Sequence, residues 1–223
     1  HTLRIEVKNN GTFSELIKQI PAQGAIILVE PGTYQEYNHV RTNGLVTFRG
    51  ILGPNGERPH FTPLGPSSAI FILDAPTNRE IGTGGLELEN LEISHTNGSG
   101  VSFHRGKLLR LYNVYVHHVR QNGVSGHPVH SDGQMVEIRN SEFSNNGQNS
   151  NLHHNIYIGR VDNFIFENNY SHASKGGHTL KYIARRAVIR NNRLVTTDDP
   201  TRVGHGDHLV NDISTTLLDG VAC

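Results

Sequence analysis

His153-His154-Asn155-Ile156-Tyr157-Ile158-Gly159-Arg160 is echoed by Gly176-Gly177-His178-Thr179-Leu180-Lys181-Tyr182, with His178 following His154 by 24 residues. Each sets a short strand-like run directly after a His. Each leads into an Asn-rich segment, Phe164-Ile165-Phe166-Glu167-Asn168-Asn169 and then Ala187-Val188-Ile189-Arg190-Asn191-Asn192. A phrase repeated at that interval marks a solenoid, in which every coil adds one unit to a continuous stack.

The same pattern extends outward in the chain. Leu86–Ile93, Leu109–Val116, Val136–Phe143, Phe164–Tyr170 and Val188–Leu194 alternate apolar and polar with the period of two that strands require. Their Asn residues stand at 90, 113, 140, 168 and 191, spaced 23, 27, 28 and 23. One Asn per coil at that period predicts a parallel β-helix and an all-β fold. Asn tolerates the left-handed backbone of a tight corner, and stacked Asn side chains can bond in a ladder. Hairpin signals are absent, which disfavours a sandwich or a propeller.

A second strand family interleaves with the first: Val101–His104, Val124–His127, Ile156–Gly159, Leu180–Ile183 and Val210–Ile213. If Val101, Val124, Ile156, Leu180 and Val210 stack inward, their outward neighbours form a file of Ser102, Ser125, Tyr157, Lys181 and Asn211. His104 and His127 lie two residues along. Arg105, Arg160 and Arg185 follow the strands, and His154 and His178 precede them. A slip of one residue would turn every side chain over.

The 223 residues suit one domain, 1–223, with regular coils over 84–215. Only 35% are hydrophobic, with 24 Gly, 9 Pro and no Trp, which fits a thin repetitive core. Residues 12–20 carry apolar side chains at Phe13, Leu16, Ile17 and Ile20, the spacing of an amphipathic helix. Thr12 and Glu15 form a capping-box pair, and Pro21 and Gly24 stop the helix. Such a helix would close the open end of a stack. Residues 38–85 are less regular and read as excursions from it. Basic and acidic residues balance at 20 each, so nothing calls for nucleic acid. No apolar run approaches the roughly 18–20 residues that span a bilayer. The chain begins with His rather than Met, so either a leader has been removed or the sequence has been trimmed; the first is the expectation for a secreted or periplasmic protein. The single Cys, Cys223, allows no internal disulfide.

A polar, aromatic and basic outward face on a solenoid suits a polysaccharide. Lys181 with Tyr157 one coil away is the sharpest pair: a strand Lys among stacked neighbours can act as a general base. The competing reading is a solvated Lys, and for the His residues it is a turn-filling or surface-stacking role. Paired carboxylates would signal hydrolysis. The candidates Asp132, Asp198, Asp199, Asp207 and Asp212 do not fall in adjacent positions of the outward files. His127-Pro128-Val129-His130 and His205-Gly206-Asp207-His208 carry metal-ligand chemistry, though their spacing specifies no metal. His1 offers an amine and an imidazole to copper, the elements of an oxidative glycan-cleaving site.

The runs at 154–159 and 177–181 resemble a group of bacterial right-handed parallel β-helix repeat proteins, over roughly residues 84–215. More distantly, Leu180-Lys181 through Asn191-Asn192-Arg193-Leu194 resembles the Lys-bearing coil of the chondroitinase B and alginate lyase family. The first resemblance implies right-handed coils. The second implies a polysaccharide lyase in which Lys181 is the general base, an Arg one coil later assists and calcium often neutralises the uronate carboxylate; where that family has an Arg-His pair on the next coil, this sequence has Arg202 and His205 nearby, but in a loop.

The expected function is β-elimination of an acidic, uronate-containing polysaccharide. Lys181 removes the proton, Tyr157 or His178 protonates the departing oxygen, and Arg160 and Arg185 hold the carboxylate and the developing charge. His154, His127, His104, Asn211 and Arg105 join Arg160 in binding substrate. Hydrolysis or epimerisation on the same face, a non-catalytic glycan-binding or structural β-helix, and copper chemistry through His1 are the alternatives, because fold alone does not decide function.

Overall fold

The structure is a computed structural model that describes residues 3–7, 13–63, 69–76, 82–126, 133–148 and 150–195. Its strands form three parallel sheets of eight, seven and six strands, and within each sheet the strands lie in chain order. That order arises when a chain winds repeatedly around one core, each strand pairing with its counterparts one coil before and one coil after. It is the arrangement of a parallel β-helix. No helix among the described residues is long and apolar enough to cross a membrane.

The first sheet runs from Leu3–Val7 through Gly24–Val29, Leu45–Gly50, Gly85–Glu89, Leu108–Tyr112, Met135–Arg139 and Asn163–Glu167 to Arg186–Arg190. The regular stack therefore begins well before Gly84, where the sequence pattern had placed its start. Gly24–Val29 and Leu45–Gly50 pair in unbroken register. Among the described residues of this region, irregularity lies in connections such as residues 51–59.

Each coil holds three strands rather than the two families read from the pattern. The long alternating segments are split at their Asn. Asn90, Asn113, Asn140, Asn168 and Asn191 have φ of 55°, 53°, 51°, 57° and 56°, the left-handed corner expected of them. Asn113 Nδ2 donates to Asn90 Oδ1 at 2.7 Å, one rung of the anticipated ladder. Beyond each corner a short strand begins: Glu92–Ser94, Tyr115–His117, Glu142–Ser144, Tyr170–His172 and Arg193–Val195 in the second sheet. The apolar alternation runs on through the corner, from Leu88 to Leu91 and Ile93, all fully buried. That continuity makes two strands look like one.

A second corner follows, again left-handed, at His95, His118, Asn145 and Ala173 (φ 55°, 53°, 56° and 48°). The chain then enters the third sheet, which includes Phe71–Asp74, Val101–Phe103, Val124–Gly126, Ile156–Ile158 and Lys181–Tyr182.

Inward residues stack coil upon coil. Leu86, Leu109, Val136 and Phe164 form one such column, none more than 1% exposed. Each side chain so buried contributes about 1.5–3 kcal/mol, and the thin core is a sum of such small layers. At the first coils α1 (Phe13–Lys18) lays Phe13 against Tyr34, Phe48 and Phe61, with ring centres 5.2, 5.8 and 5.3 Å away. The helix is shorter than 12–20. Its first described amide, of Phe13, donates to the Glu36 carboxylate at 2.7 Å; Thr12 lies outside the described residues.

The outward face of the first sheet is closed by its own charges. Arg110 bridges Glu87 at 2.6 Å and Glu137 at 2.9 Å, and Arg139 and Arg190 both meet Glu167. Burial pushes the Glu87 carboxyl above its ordinary range, and Arg110 opposes that.

Candidate functional site

The third sheet carries the outward file. Ser102 pairs in register with Ser125, Ser125 with Tyr157, and Tyr157 with Lys181. The inward partners Val101, Val124, Ile156 and Leu180 are buried, at 0–3% exposure. The register follows from that alternation: one slip would turn four apolar side chains to solvent and four polar ones into the core.

A groove of about 440 Å³ runs along this file. Ser102, Ser125, Tyr157 and Lys181 form its floor, His104 lies at one end, and His153 and His154 flank it. Lys181 and Tyr157 also touch each other, with Lys181 Nζ 5.6 Å from the centre of the Tyr157 ring. No carboxylate lines the groove among the described residues. Leu152 is 78% exposed on its margin.

His154 is held with care. Its Nδ1 accepts the backbone N–H of His178 at 2.8 Å, and the two rings stack at 5.1 Å. An Nδ1 used as acceptor leaves the proton on Nε2. Burial, with His178 and Lys181 nearby, pushes the imidazole down to about 3, so it is neutral at neutral pH. Gly177 makes the stacking possible: a Cβ there would stand 2.1 Å from His154 Nδ1. A Cβ at Gly176 would stand 2.2 Å from the carbonyl oxygen of Ser150. The repeated Gly-Gly-His is thus a close-approach motif.

Asn155, the next residue of the phrase, belongs to the core. It is fully buried, takes the Asn146 backbone N–H on Oδ1 at 3.2 Å, and donates from Nδ2 to Ser171 Oγ at 3.1 Å and the His172 carbonyl at 2.8 Å. It fixes the corner from which the strand of Tyr157 departs.

Four of the expected site residues, Lys181, Tyr157, His154 and His104, come together in the groove. His178 stands behind His154 rather than in the lining. Arg105, Arg160 and Arg185 do not line it either. Arg105 approaches Asp74 at 3.7 Å. Arg185 pairs with Asp162 at 3.2 Å, because its coil returns to the first sheet there and Arg186 falls opposite Asn163. Arg160 is exposed where its strand ends. His127 and Asn211 lie outside the described residues, as do His1, His130, Asp132, Asp198, Asp199, Arg202, His205, Asp207, His208 and Asp212.

Sequence reasoning missed Ser99, Gln121, Asn122 and Leu152 in the lining. Ser99 and Asn122 stand two residues before Val101 and Val124, as His154 does before Ile156. That shared offset was the signal. Asn122 Oδ1 receives the His154 backbone N–H at 2.7 Å, which ties the neighbouring coils together.

No family model, no curated protein and no solved structure matches this chain. Any functional reading of the groove therefore rests on its chemistry.

Proposed function

We propose that this groove binds an acidic, uronate-containing polysaccharide and cleaves it by β-elimination. The observation that carries the reading is the Tyr157–Lys181 pair in a groove whose described lining has no carboxylate. An anionic sugar meets no like charge there. Leu152 at the margin offers an apolar surface to the C–H face of a pyranose.

In this reading Lys181 takes the C5 proton of a uronate. The C5–H electron pair becomes the C4–C5 double bond, the C4–O4 bond breaks, and the Tyr157 hydroxyl protonates the departing oxygen. His154 Nε2–H, a neutral donor, bonds the carboxylate as its charge grows. His178 serves as the group that orients His154, and Arg160 is assigned to a neighbouring sugar. Arg185 and Arg105, with Asp162 and Asp74 beside them, are not given the carboxylate. The coils are taken as right-handed, the hand that parallel crossovers adopt.

Calcium does not fit the described lining. It asks for six to eight oxygen ligands, among them carboxylates, whereas this lining supplies hydroxyls, amides, imidazoles and one Lys. No step is routed through it. Hydrolysis by a carboxylate pair lacks its pair in the same lining. A binding-only groove is the second reading, favoured by the engagement of Arg105 and Arg185 with acidic partners.

The test is a panel of alginate, pectate, chondroitin and hyaluronan, each with calcium and with chelator. A lyase generates the ultraviolet absorbance of an unsaturated uronate on one of them. Saturable binding without product on any member would establish the binding-only groove instead.

A further inference from the structure

On the second sheet, on a different side of the solenoid, three successive coils bring His60, Glu92 and His117 together. His60 pairs in register with Glu92, and His117 lies on the next coil opposite Ser94. Glu92 Oε1 stands 3.0 Å from His117 Nε2 and 3.7 Å from His60 Nε2. All three donor atoms lie within 4.8 Å of one another. A tetrahedral zinc with bonds near 2.0–2.1 Å separates its ligand atoms by about 3.3 Å, so the two measured separations bracket that of a metal site.

His117 Nδ1 faces His118 Nδ1 at 2.7 Å. Ser94 Oγ lies 2.6 Å from His60 Nε2, the nitrogen that would take the ion, and 2.6 Å from His95 Nδ1, so an ion on His60 requires the Ser94 hydroxyl to turn to His95. A ligating His needs a hydrogen-bond partner on its other nitrogen, and His118 supplies one for His117. Without metal, His117 Nε2–H donates to Glu92. With metal, that nitrogen gives its lone pair to the ion and the proton sits on Nδ1, donated to His118.

The chain carries its own control. Two coils on, His172 Nε2 lies 3.0 Å from Glu142 Oε1, and Tyr170 stacks on His172 as Tyr115 does on His117. This is the same Tyr-x-His over Glu, and it explains a His–Glu pair as ordinary ladder structure. Among the described residues it gathers no third donor. His60 is what turns one copy of the ladder into a three-ligand group.

We propose that His60, Glu92 and His117 form a binding site for a divalent first-row transition ion, with zinc as its probe and a fourth position left for water or a ligand oxygen. Two imidazoles and one carboxylate suit zinc, copper, nickel or iron rather than calcium or magnesium. The site shares no residue with the groove and is independent of the reading given to it.

The experiment is zinc titration of the chelator-stripped full chain by calorimetry, beside His60→Asn, Glu92→Gln, His117→Ala and His172→Ala. The expected result is one saturable equivalent, weakened roughly tenfold or more by each of the first three changes and unaltered by the fourth. Cobalt in place of zinc should give the visible bands of a four-coordinate ion in the wild type. That measurement keeps the idea testable even where a variant fails to fold. The proposal is overturned if the wild type shows no saturable zinc binding. It is also overturned if His60→Asn and Glu92→Gln, folded, bind as tightly as the wild type.

Discussion

Lys181 Nζ stands 5.6 Å from the centre of the Tyr157 ring, one coil on in the same outward file. The pairing gives Tyr157 two separable contributions. Its ring positions Lys181, and its hydroxyl supplies the proton of the proposed elimination. Lys181→Ala should lower kcat/KM on the responsive glycan by roughly 10²–10⁴ with the melting temperature retained. Tyr157→Phe keeps the ring, so kcat should fall while KM stays near the wild-type value. Tyr157→Ala should disturb both. Steady-state kinetics of the three variants checks this, and an active Lys181→Ala sinks the assignment.

Gly176 and Gly177 should differ in what they tolerate. At Gly177 the nearest obstacle to a Cβ is the His154 ring, at 2.1 Å, with the Asn151 carbonyl oxygen farther off at 2.8 Å, whereas at Gly176 the nearest obstacles are the carbonyl oxygens of Ser150 and Gly147, at 2.2 and 2.4 Å. Backbone yields less than a side chain. Gly176→Ala should therefore destabilise more than Gly177→Ala, which should cost about 1–3 kcal/mol. Gly177→Ala should also mimic His154→Ala in the lyase assay, because it displaces that ring. Urea unfolding gives the first ranking; the reverse order would show that the loop before His178 moves freely.

The corners and the file were legible in the sequence because both obey a fixed offset. Asn90, Asn113, Asn140, Asn168 and Asn191 repeat one residue type at one backbone need, and Ser102, Ser125, Tyr157 and Lys181 keep one distance from an apolar anchor. The second corner was hidden because His95, His118, Asn145 and Ala173 meet the same need with different residues. With it went the middle sheet and the meeting of His60, Glu92 and His117, which are far apart in sequence. Arg185 follows its strand as expected but does not line the groove, for a similar reason. The Lys181–Tyr182 strand is only two residues long, so Arg185 has already turned toward Asp162.

Acid should weaken the fold before the carboxylates titrate. His154, folded, is pushed down to about 3 from an ordinary 6.5. Unfolded, it takes up a proton near 6.5, so between those values the unfolded chain binds more protons. The stability it contributes is complete above pH 6.5 and is lost as pH falls toward 3, by at most roughly 5 kcal/mol. His39, His60, His104, His118 and His153 are lowered as well and act in the same direction. His154→Gln retains an acceptor for the His178 N–H and does not titrate. Its stability should therefore fall less steeply than the wild type's between pH 6.5 and 5, as followed by urea midpoints. Parallel curves for the two proteins would contradict the neutral, buried His154.

Opposite signs are expected at two corners of the same geometry. Asn113, at φ 53°, donates to Asn90 and receives Arg58 on its carbonyl and side-chain oxygens at 3.0 and 2.6 Å. Asn113→Ala loses those side-chain bonds and keeps a Cβ in the left-handed region without the local hydrogen bonding that lets Asn tolerate it, where the strain is roughly 1–2 kcal/mol. Asn113→Gly loses the same bonds without the strain and should be the milder change. Ala173, at φ 48°, already bears that strain. Ala173→Gly relieves it while costing about 0.5–1 kcal/mol in backbone freedom. The net should be a gain of up to about 1 kcal/mol, from a substitution to glycine that would weaken an ordinary strand. Chemical unfolding of both variants decides it, and a destabilised Ala173→Gly would mean that this corner is not held left-handed in solution.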